Sequence, residues 1–220
     1  MAIVRVQTVY KAVDGASGSA VITTDAITTT TGNTLIAIGR STDDTLTDVD
    51  DGTNLFELID SDSSHDAFMS IWRAKNITGV TGAITGTFDH ATNFGWLYVL
   101  EYSGIDHTTP DDGNATGVAG SGTDLATDAF NTTVAGLVVA GGSQNAFATY
   151  TAGTDFTIVD GSINGGGGNN YGGVEEYITS TAFTGYSAHL TSNANAQWTM
   201  VGAAFNASSG GAKLILIPGR

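Results

Sequence analysis

Glutamates on predicted strands are the side chains of this chain best suited to acid–base chemistry. Glu101 lies in the densest apolar run, Phe94 to Asp106, while Glu175 and Glu176 are adjacent on a later predicted strand. A glycoside hydrolase needs two carboxyl groups about 5–10 Å apart across a cleft. Nothing in the sequence fixes a partner for Glu101. A glycoside hydrolase is therefore a remote alternative, and we predict no catalytic residue.

A second group of carboxylates lies in the acidic segment Ser41–Gly52, which we predict to be a loop. Its densest part is Asp48-Val49-Asp50-Asp51-Gly52, and hard cations such as Ca²⁺ bind several carboxylate and carbonyl oxygens. The calcium loop of an EF-hand also needs a glycine at its sixth position and a glutamate at its twelfth, and neither is in register here. We favour a solvated turn in which Asp and Gly serve the backbone, and we predict no metal site.

The remaining reactive residues form no recognisable pattern. The four histidines, His65, His90, His107 and His189, have no zinc-ligand spacing. The glycine run at Gly165–Gly168 is not followed by the Lys-Ser/Thr of a phosphate-binding loop. Trp72, Trp96 and Trp198 could stack on sugars if exposed, but we favour burial in a core. The sequence predicts no cofactor, and a protein that is not an enzyme.

Charge and composition exclude several classes of partner. The 220-residue chain has 22 acidic and 7 basic residues, a formal net charge of −15. Nucleic acids and anionic membranes both attract clustered Lys and Arg, so we expect neither partner. There are no cysteines, the N-terminus lacks an apolar secretory segment, and no run approaches the roughly 20 apolar residues of a membrane span. We expect a protein that works in a cytosol or in a particle assembled there.

The composition and the residue pattern of the chain are typical of β-structure. It has 30 Gly, 2 Pro and many Thr, and its short apolar runs alternate and are separated by turn residues. Phe94 to Asp106 is apolar on both faces, which predicts a strand in the middle of a sheet. We predict long loops at His107–Gly122, as a crossover connection, and at Gly161–Gly173. The expected fold class is all-β.

The two halves of the sequence repeat one plan. Leu35, Phe56 and Trp96 are followed about one hundred residues later by Leu137, Phe156 and Trp198. This predicts two similar five-strand halves, over about 20–106 and 123–207. They could interleave into one sandwich or form two small ones. Because short domains bury little surface, we favour one jelly-roll-like antiparallel β-sandwich of about ten to twelve strands over 1–207.

The end of the chain differs from the body. Residues 208–220 form a predicted glycine hinge followed by an apolar strand, Leu214–Ile217. An apolar strand beyond a hinge can pair with the sheet edge of a neighbouring molecule. It can equally be the last strand of its own sandwich, and both interpretations stay open.

Four segments, in order, resemble a family. They are Gly-Asn-Thr-Leu-Ile-Ala-Ile, Gly-Thr-Asn-Leu-Phe, Ile-Trp-Arg-Ala-Lys-Asn-Ile-Thr-Gly and Val-Leu-Glu-Tyr-Ser-Gly-Ile-Asp, from Gly32 to Asp106, and the pattern recurs through residues 33 to 205. Together they resemble virion-associated proteins of tailed bacteriophages, and Glu101 to Asp106 is the most recognisable part. The resemblance implies a jelly-roll sandwich with a structural or adhesive role, and it brings no catalytic residues. Fold alone does not determine function.

The resemblance implies a capsid decoration (cement) protein that binds between major capsid subunits. Its expected partners are the major capsid protein and copies of itself, a trimer being one arrangement, and its expected location is the virion, assembled in a bacterial host cytoplasm. The alternative is a receptor-binding or carbohydrate-binding (lectin-like) tail module, for which a host-surface glycan would be the partner.

Overall fold

A computed structural model describes residues 2–42, 44–65, 67–164 and 171–209. The predicted features at Gly165–Gly168 and Leu214–Ile217 therefore lie outside the described residues. All regular secondary structure in the described residues is β-strand, which confirms the predicted fold class. The first half contains β1 Val4–Thr23, β2 Ile27–Thr28, β3 Thr34–Ser41, β4 Leu46–Asp50, β5 Glu57–Asp62, β6 Phe68–Ala74, β7 Thr81–Gly82 and β8 Thr85–Ser103.

The second half repeats this series strand for strand. It contains β9 Asp111–Ala126, β10 Phe130–Asn131, β11 Gly136–Gln144, β12 Tyr150–Ala152, β13 Thr157–Asn164, β14 Tyr171–Thr179, β15 Thr184–Tyr186 and β16 His189–Asn206. Among the described residues, each half therefore has eight strands rather than the predicted five. The total of sixteen exceeds the ten to twelve expected from the sequence, because the short strands and the strands with little apolar character were missed.

Each half forms its own six-stranded antiparallel sheet. In the first sheet the order is β1-β8-β3-β6-β5, with β4 also paired to β8. In the second, β9 and β12 both pair with β16, and the order continues β16-β11-β14-β13. Two short ribbons, β2–β7 and β10–β15, complete the halves. No strand of one half enters the other half's sheet among the described residues, which corrects the interleaved arrangement favoured from the sequence.

The two sheets pack face to face around a shared core. This core contains Ile38, Trp96 and Tyr98 from the first sheet and Val139 and Phe205 from the second, all buried. Each half also buries a separate cluster on the outer face of its sheet. Both faces of the central strands are therefore covered, and β3 and β11 are buried along their whole length. This explains why these strands are continuous apolar runs.

The two sheets approach each other closely in at least two places. β3 faces β11, where a Cβ added to Gly141 would lie 3.0 Å from Ile38. β8 faces β14, where a Cβ on Gly172 would lie 2.5 Å from the Trp96 ring. Trp96 therefore requires a glycine opposite it. The close approach shows that the two sheets are fitted to each other and are not independent domains.

Two ion pairs occupy equivalent places at this interface with their charges exchanged. Arg5 on β1 contacts Glu176 on β14, with N–O 3.1 Å, while Asp111 on β9 contacts Arg73 on β6. Arg5 is the strand partner of Tyr102, and Asp111 is the strand partner of Phe205. The Tyr102 hydroxyl also donates to Glu176 at 2.6 Å, and burial is the main cause that raises its pKa, so it remains a neutral donor.

The predicted central strand is confirmed, and two predicted loops are wrong. Trp96, Tyr98, Leu100 and Tyr102 are all buried in the shared core. By contrast, most of the segment predicted as the crossover loop His107–Gly122 belongs to strand β9, and the described ends of the predicted loop Gly161–Gly173 belong to strands β13 and β14. β9 and β13 lie at sheet edges, where an apolar pattern is not required for pairing.

The repeat predicted from the sequence matches the strands of the two halves in the correct order. In two of these strands the matched residues are one position out of register. Leu35 packs in the outer cluster of the first half, whereas Leu137 lies in the shared core. Trp96 lies in the shared core, whereas Trp198 packs in the outer cluster of the second half. Because strand side chains alternate between faces, a shift of one residue reverses the face. Phe56 and Phe156 both lie in outer clusters.

Candidate functional site

An open cleft of about 480 Å³ lies on the outer face of the second half. It forms where the end of β9, the beginning of β16, β15 and the segment after β12 come together. Its walls carry carboxylate, imidazole, phenol and hydroxyl groups. The lining residues are Asp124, Ala152, Gly153, Thr154, Gly185, Tyr186, Ser187, His189 and Thr191. The mixture of polar groups and one aromatic ring suits a polar organic ligand.

One wall of the cleft is built by a carboxylate and an imidazole. Asp124 on β9 and His189 on β16 approach each other at 3.2 Å, Oδ1 to Nδ1. The two strands pair antiparallel, and Asp124 is the strand partner of Thr191, two residues after His189. Both side chains remain accessible to solvent. The contact holds the imidazole in place and leaves the second oxygen of Asp124 available to a ligand.

The ring of Tyr186 forms another part of the cleft lining, and it is fixed on two sides. It stacks on Tyr177, with ring centroids 5.5 Å apart and planes at 16°. Its hydroxyl donates to Asp155, and this hydrogen bond raises the pKa of Tyr186. Asp155 itself has φ +69°, a conformation that Asp tolerates better than most residues. The ring is therefore held in one orientation before any ligand arrives.

A buried carboxyl group lies directly behind the cleft. Glu175 on β14 is fully buried, and its Oε2 accepts a hydrogen bond of 3.0 Å from the main-chain N–H of Gly153, a cleft residue. Its Oε1 is buried without a hydrogen-bond partner among the described residues. Burial raises the pKa of Glu175 to about 8, although the nearby N–H groups of Gly153 and His189 act in the opposite direction. Glu175 is therefore mostly protonated at neutral pH.

Strand pairing identifies the residue that takes this place in the first half. Glu175 is the strand partner of Ala140 on β11 and Ile158 on β13. The equivalent strands of the first half, β3 and β5, pair through Ala37 and Leu58 with Trp72. Trp72 packs into the outer cluster, and its indole N–H donates to Ser70 at 3.0 Å. An indole thus occupies the position that a carboxyl group occupies behind the cleft.

The glutamates singled out in the sequence do not form a catalytic pair. Glu101 points to the outer face of the first sheet, where it accepts hydrogen bonds from Gln7 at 2.5 Å and Asn33 at 2.6 Å. Glu175 points to the outer face of the second sheet, and Glu176 points into the interface between the sheets. Glu101 is a buried structural acceptor and is not among the residues that line the cleft. The opposed faces separate the glutamates across the sandwich.

The acidic segment Ser41–Gly52, predicted to be a loop, is partly strand, because Leu46–Asp50 forms β4 and pairs with β8. The turn expected from its composition begins at Asp50. Asp50 accepts a hydrogen bond from the N–H of Gly52 at 2.7 Å. Asp51 accepts bonds from the N–H groups of Thr53 and Asn54, at 3.0 and 2.7 Å. The carboxylates thus satisfy the backbone of a turn, and Gly52 has the positive φ of +80° that the turn requires.

One group of possible metal ligands was not predicted from the sequence. Ligand atoms of Asp44, Asp89 and His90 lie within 4.8 Å of one another, the one such group among the described residues. One oxygen of Asp89 already accepts a hydrogen bond from the N–H of Thr45 at 2.9 Å.

The three tryptophans, Trp72, Trp96 and Trp198, are buried, as expected.

The sequence did not indicate the cleft. Asp124, Asp155 and Tyr186 stand in no motif, and an error in the register of the predicted repeat hides the match of Glu175 to Trp72. The one available signal was the repeat itself, since in correct register it places a glutamate where its counterpart has a tryptophan.

Comparisons with protein-family models, with curated proteins and with solved structures give no match. In the part of the chain that the structure describes, no helix is long and apolar enough to cross a membrane. Fold and site geometry are therefore the basis for a functional proposal.

Proposed function

We propose that the protein is a structural component of a virus particle, a capsid decoration protein that binds at the contacts between major capsid subunits. The observation that carries the proposal is the apolar, unpaired edge of strand β1. β1 is the last strand of the first sheet, so one side of its main chain has no partner strand in the described chain. It therefore offers a place for a strand of another protein.

The side chains along this edge are unusually apolar. Val4, Val6 and Tyr10 are 53%, 47% and 46% exposed. Edge strands usually carry charges that prevent pairing with other chains. The two cationic side chains on β1 near these residues form ion pairs, Arg5 with Glu176 and Lys11 with Asp25 at 3.5 Å. The edge thus lacks the usual protection against association.

The equivalent strand of the second half does not share this property. Among the side chains described on β9, no large apolar residue is exposed, and Val118 packs partly against the outer cluster. The apolar surface continues at the start of β1 into a depression of about 400 Å³ whose walls include Ile3, Ala135 and Ile178. One side of the molecule is therefore suited to docking, which fits a protein attached to a larger surface.

The charge of the protein agrees with a place on the outside of a capsid. A net charge of −15 repels packaged nucleic acid and keeps the exposed part of the protein soluble. The apolar edge then faces capsid subunits or copies of the same chain.

Counting copies in purified particles tests this proposal. We expect a copy number comparable with that of the major capsid protein, measured by quantitative mass spectrometry. Particles that lack the protein should lose their contents at lower temperature or lower salt. A few copies confined to the tail would contradict the proposal.

Edge variants test the docking surface. We expect Val6→Lys with Tyr10→Lys to reduce binding to decoration-free particles by about tenfold or more, since buried charges oppose strand pairing. Leu55→Lys is the matched control, because Leu55 is 78% exposed in the same half but lies away from β1. Equal binding of edge variant and control would exclude this edge as the docking surface.

A further inference from the structure

We propose that the cleft on the outer face of the second half binds a neutral or amino-bearing saccharide. This goes beyond a structural role, because the cleft and the β1 edge are formed by different halves. Four features of the cleft support this ligand: the chemistry of its walls, their rigidity, their charge, and the carboxyl group behind them.

The walls offer the groups that recognise sugar hydroxyls. Asp124 accepts hydrogen bonds, and Thr154, Ser187 and Thr191 can both donate and accept. Tyr186 adds an apolar ring surface of the kind that packs against the C–H groups of a sugar. A volume of about 480 Å³ is large enough for one or two sugar rings.

The polar groups are held in place before binding. Asp124 is fixed against His189, and Tyr186 is fixed by its stacking on Tyr177 and by its hydrogen bond to Asp155. Side chains that are already ordered lose little entropy when a ligand binds. This matters for a saccharide, since each of its hydrogen bonds replaces one made with water.

The charge of the cleft selects the class of sugar. Asp124 lines the cleft, and Asp155 directly follows the lining residue Thr154 in the chain. The lining residues include no Lys or Arg. Sugars that carry a carboxylate, such as sialic or uronic acids, would meet like charge. Neutral sugars meet no such penalty, and a protonated amine on a sugar would be attracted to Asp124.

Glu175 lies beside the cleft without lining it, and it distinguishes this half from the other. It is fully buried, and Oε1 has no hydrogen-bond partner among the described residues. Its other oxygen is bonded to Gly153, so the carboxyl group lies directly behind the cleft wall. A buried oxygen without a partner destabilises a fold, and Trp72 avoids this cost at the equivalent position. The second half thus keeps a polar group where the first half is filled by an indole.

Saturation-transfer NMR with four sugars tests the proposal on the full chain. The probes are galactose, N-acetylglucosamine, glucosamine and N-acetylneuraminic acid at millimolar concentration, followed by a glycan array for oligosaccharides. We expect saturable binding of at least one of the first three and weaker or no binding of N-acetylneuraminic acid. Absence of binding to all neutral and amino sugars in both assays would overturn the proposal, as would a preference for the acidic sugar.

Variants locate the binding. We expect Asp124→Ala and Tyr186→Ala to lower affinity about tenfold or more. Val21→Asn is the matched control, because Val21 on β1 takes the place of Asp124 in the first half and is also exposed. Asp124 is largely exposed, so its variant should fold normally even if Tyr186→Ala does not. Unchanged affinity in Asp124→Ala would contradict the proposal, whatever the result of the particle experiments.

Discussion

The outer faces of the two halves differ at one strand position that the pairing makes equivalent. In the first half this position is Trp72, whose indole packs with the outer cluster and donates a hydrogen bond to Ser70. In the second half it is Glu175, whose carboxyl group is buried behind an open cleft. The same backbone plan therefore supports a filled face in one half and a polar recess in the other.

This difference shows how a duplicated fold can gain a site. Burying an indole excludes water and stabilises the half that carries it. Burying a carboxyl group has the opposite effect, because the charged form is poorly solvated there. The second half thus gives up stability at Glu175 while keeping polar groups beside a cleft. In the first half, Trp72 fills the equivalent position and avoids the cost of a buried carboxyl group.

The largest expected effect of a single substitution is at Trp72. We expect Trp72→Ala to lower the free energy of unfolding by about 3–5 kcal/mol, since it leaves a cavity in a packed cluster. Urea denaturation at neutral pH measures this change. The control is Leu58→Ala, which alters the half-exposed strand partner of Trp72 and should cost under about 1 kcal/mol. Equal losses in the two variants would show that the first half is not filled by its indole.

The pH dependence of stability should separate the two halves further. The pKa of Glu175 is about 8 in the folded protein, against an ordinary value of 4.5. Because the folded value is raised, the stabilising neutral form is fully present below about pH 4.5, and its contribution is lost as pH rises through about 8. We expect the wild type to lose roughly 3 kcal/mol relative to Glu175→Gln between about pH 5 and pH 8.

Denaturation midpoints of wild type and Glu175→Gln across this range measure the effect. Comparing the two proteins removes the contribution of the other acidic residues, which they share. Parallel pH profiles would show that Glu175 is ionised in the folded protein or is not buried.

A smaller effect is expected where the halves meet. Tyr102→Phe removes the hydroxyl that donates to Glu176 and makes this position identical to its counterpart, Phe205. We expect a loss of about 1.5–3 kcal/mol in the free energy of unfolding, the usual value for a hydrogen bond to a charged group. Tyr10→Phe, at a half-exposed ring, is the control and should change stability little. A loss no larger than that of the control would mean that Arg5 alone satisfies Glu176.

The sequence predicted the fold class and the central strands, since these have clear physical signals. Phe94 to Asp106 is apolar on both faces because the strand is covered on both sides, and that pattern is visible without a structure. Strand β9 could not be found in this way. It lies at an edge, and its Asp, Gly and Thr residues are typical of loops, so its pairing with β16 comes from the neighbouring strand and not from its own pattern.

The register between the halves also could not be derived from residue identity. Leu35 and Leu137, or Trp96 and Trp198, are the same residue types, yet they face opposite sides of their sheets. Hydrophobic residues suit either face in a sheet covered on both sides, so their identity does not fix the alignment. The comparison of Glu175 with Trp72 depends on this alignment, because only strand pairing shows that the two residues occupy equivalent positions.

The exchanged ion pairs at the interface let each half distinguish its partner from a copy of itself. If two first halves packed together in the same geometry, Arg5 of one would meet Arg73 of the other. Two second halves would bring Asp111 against Glu176. Both pairings place like charges at a partly buried contact, and only the mixed pairing brings opposite charges together. During folding in a crowded cell, where many copies of halves with the same strand plan meet, this arrangement favours association within a chain over exchange between chains.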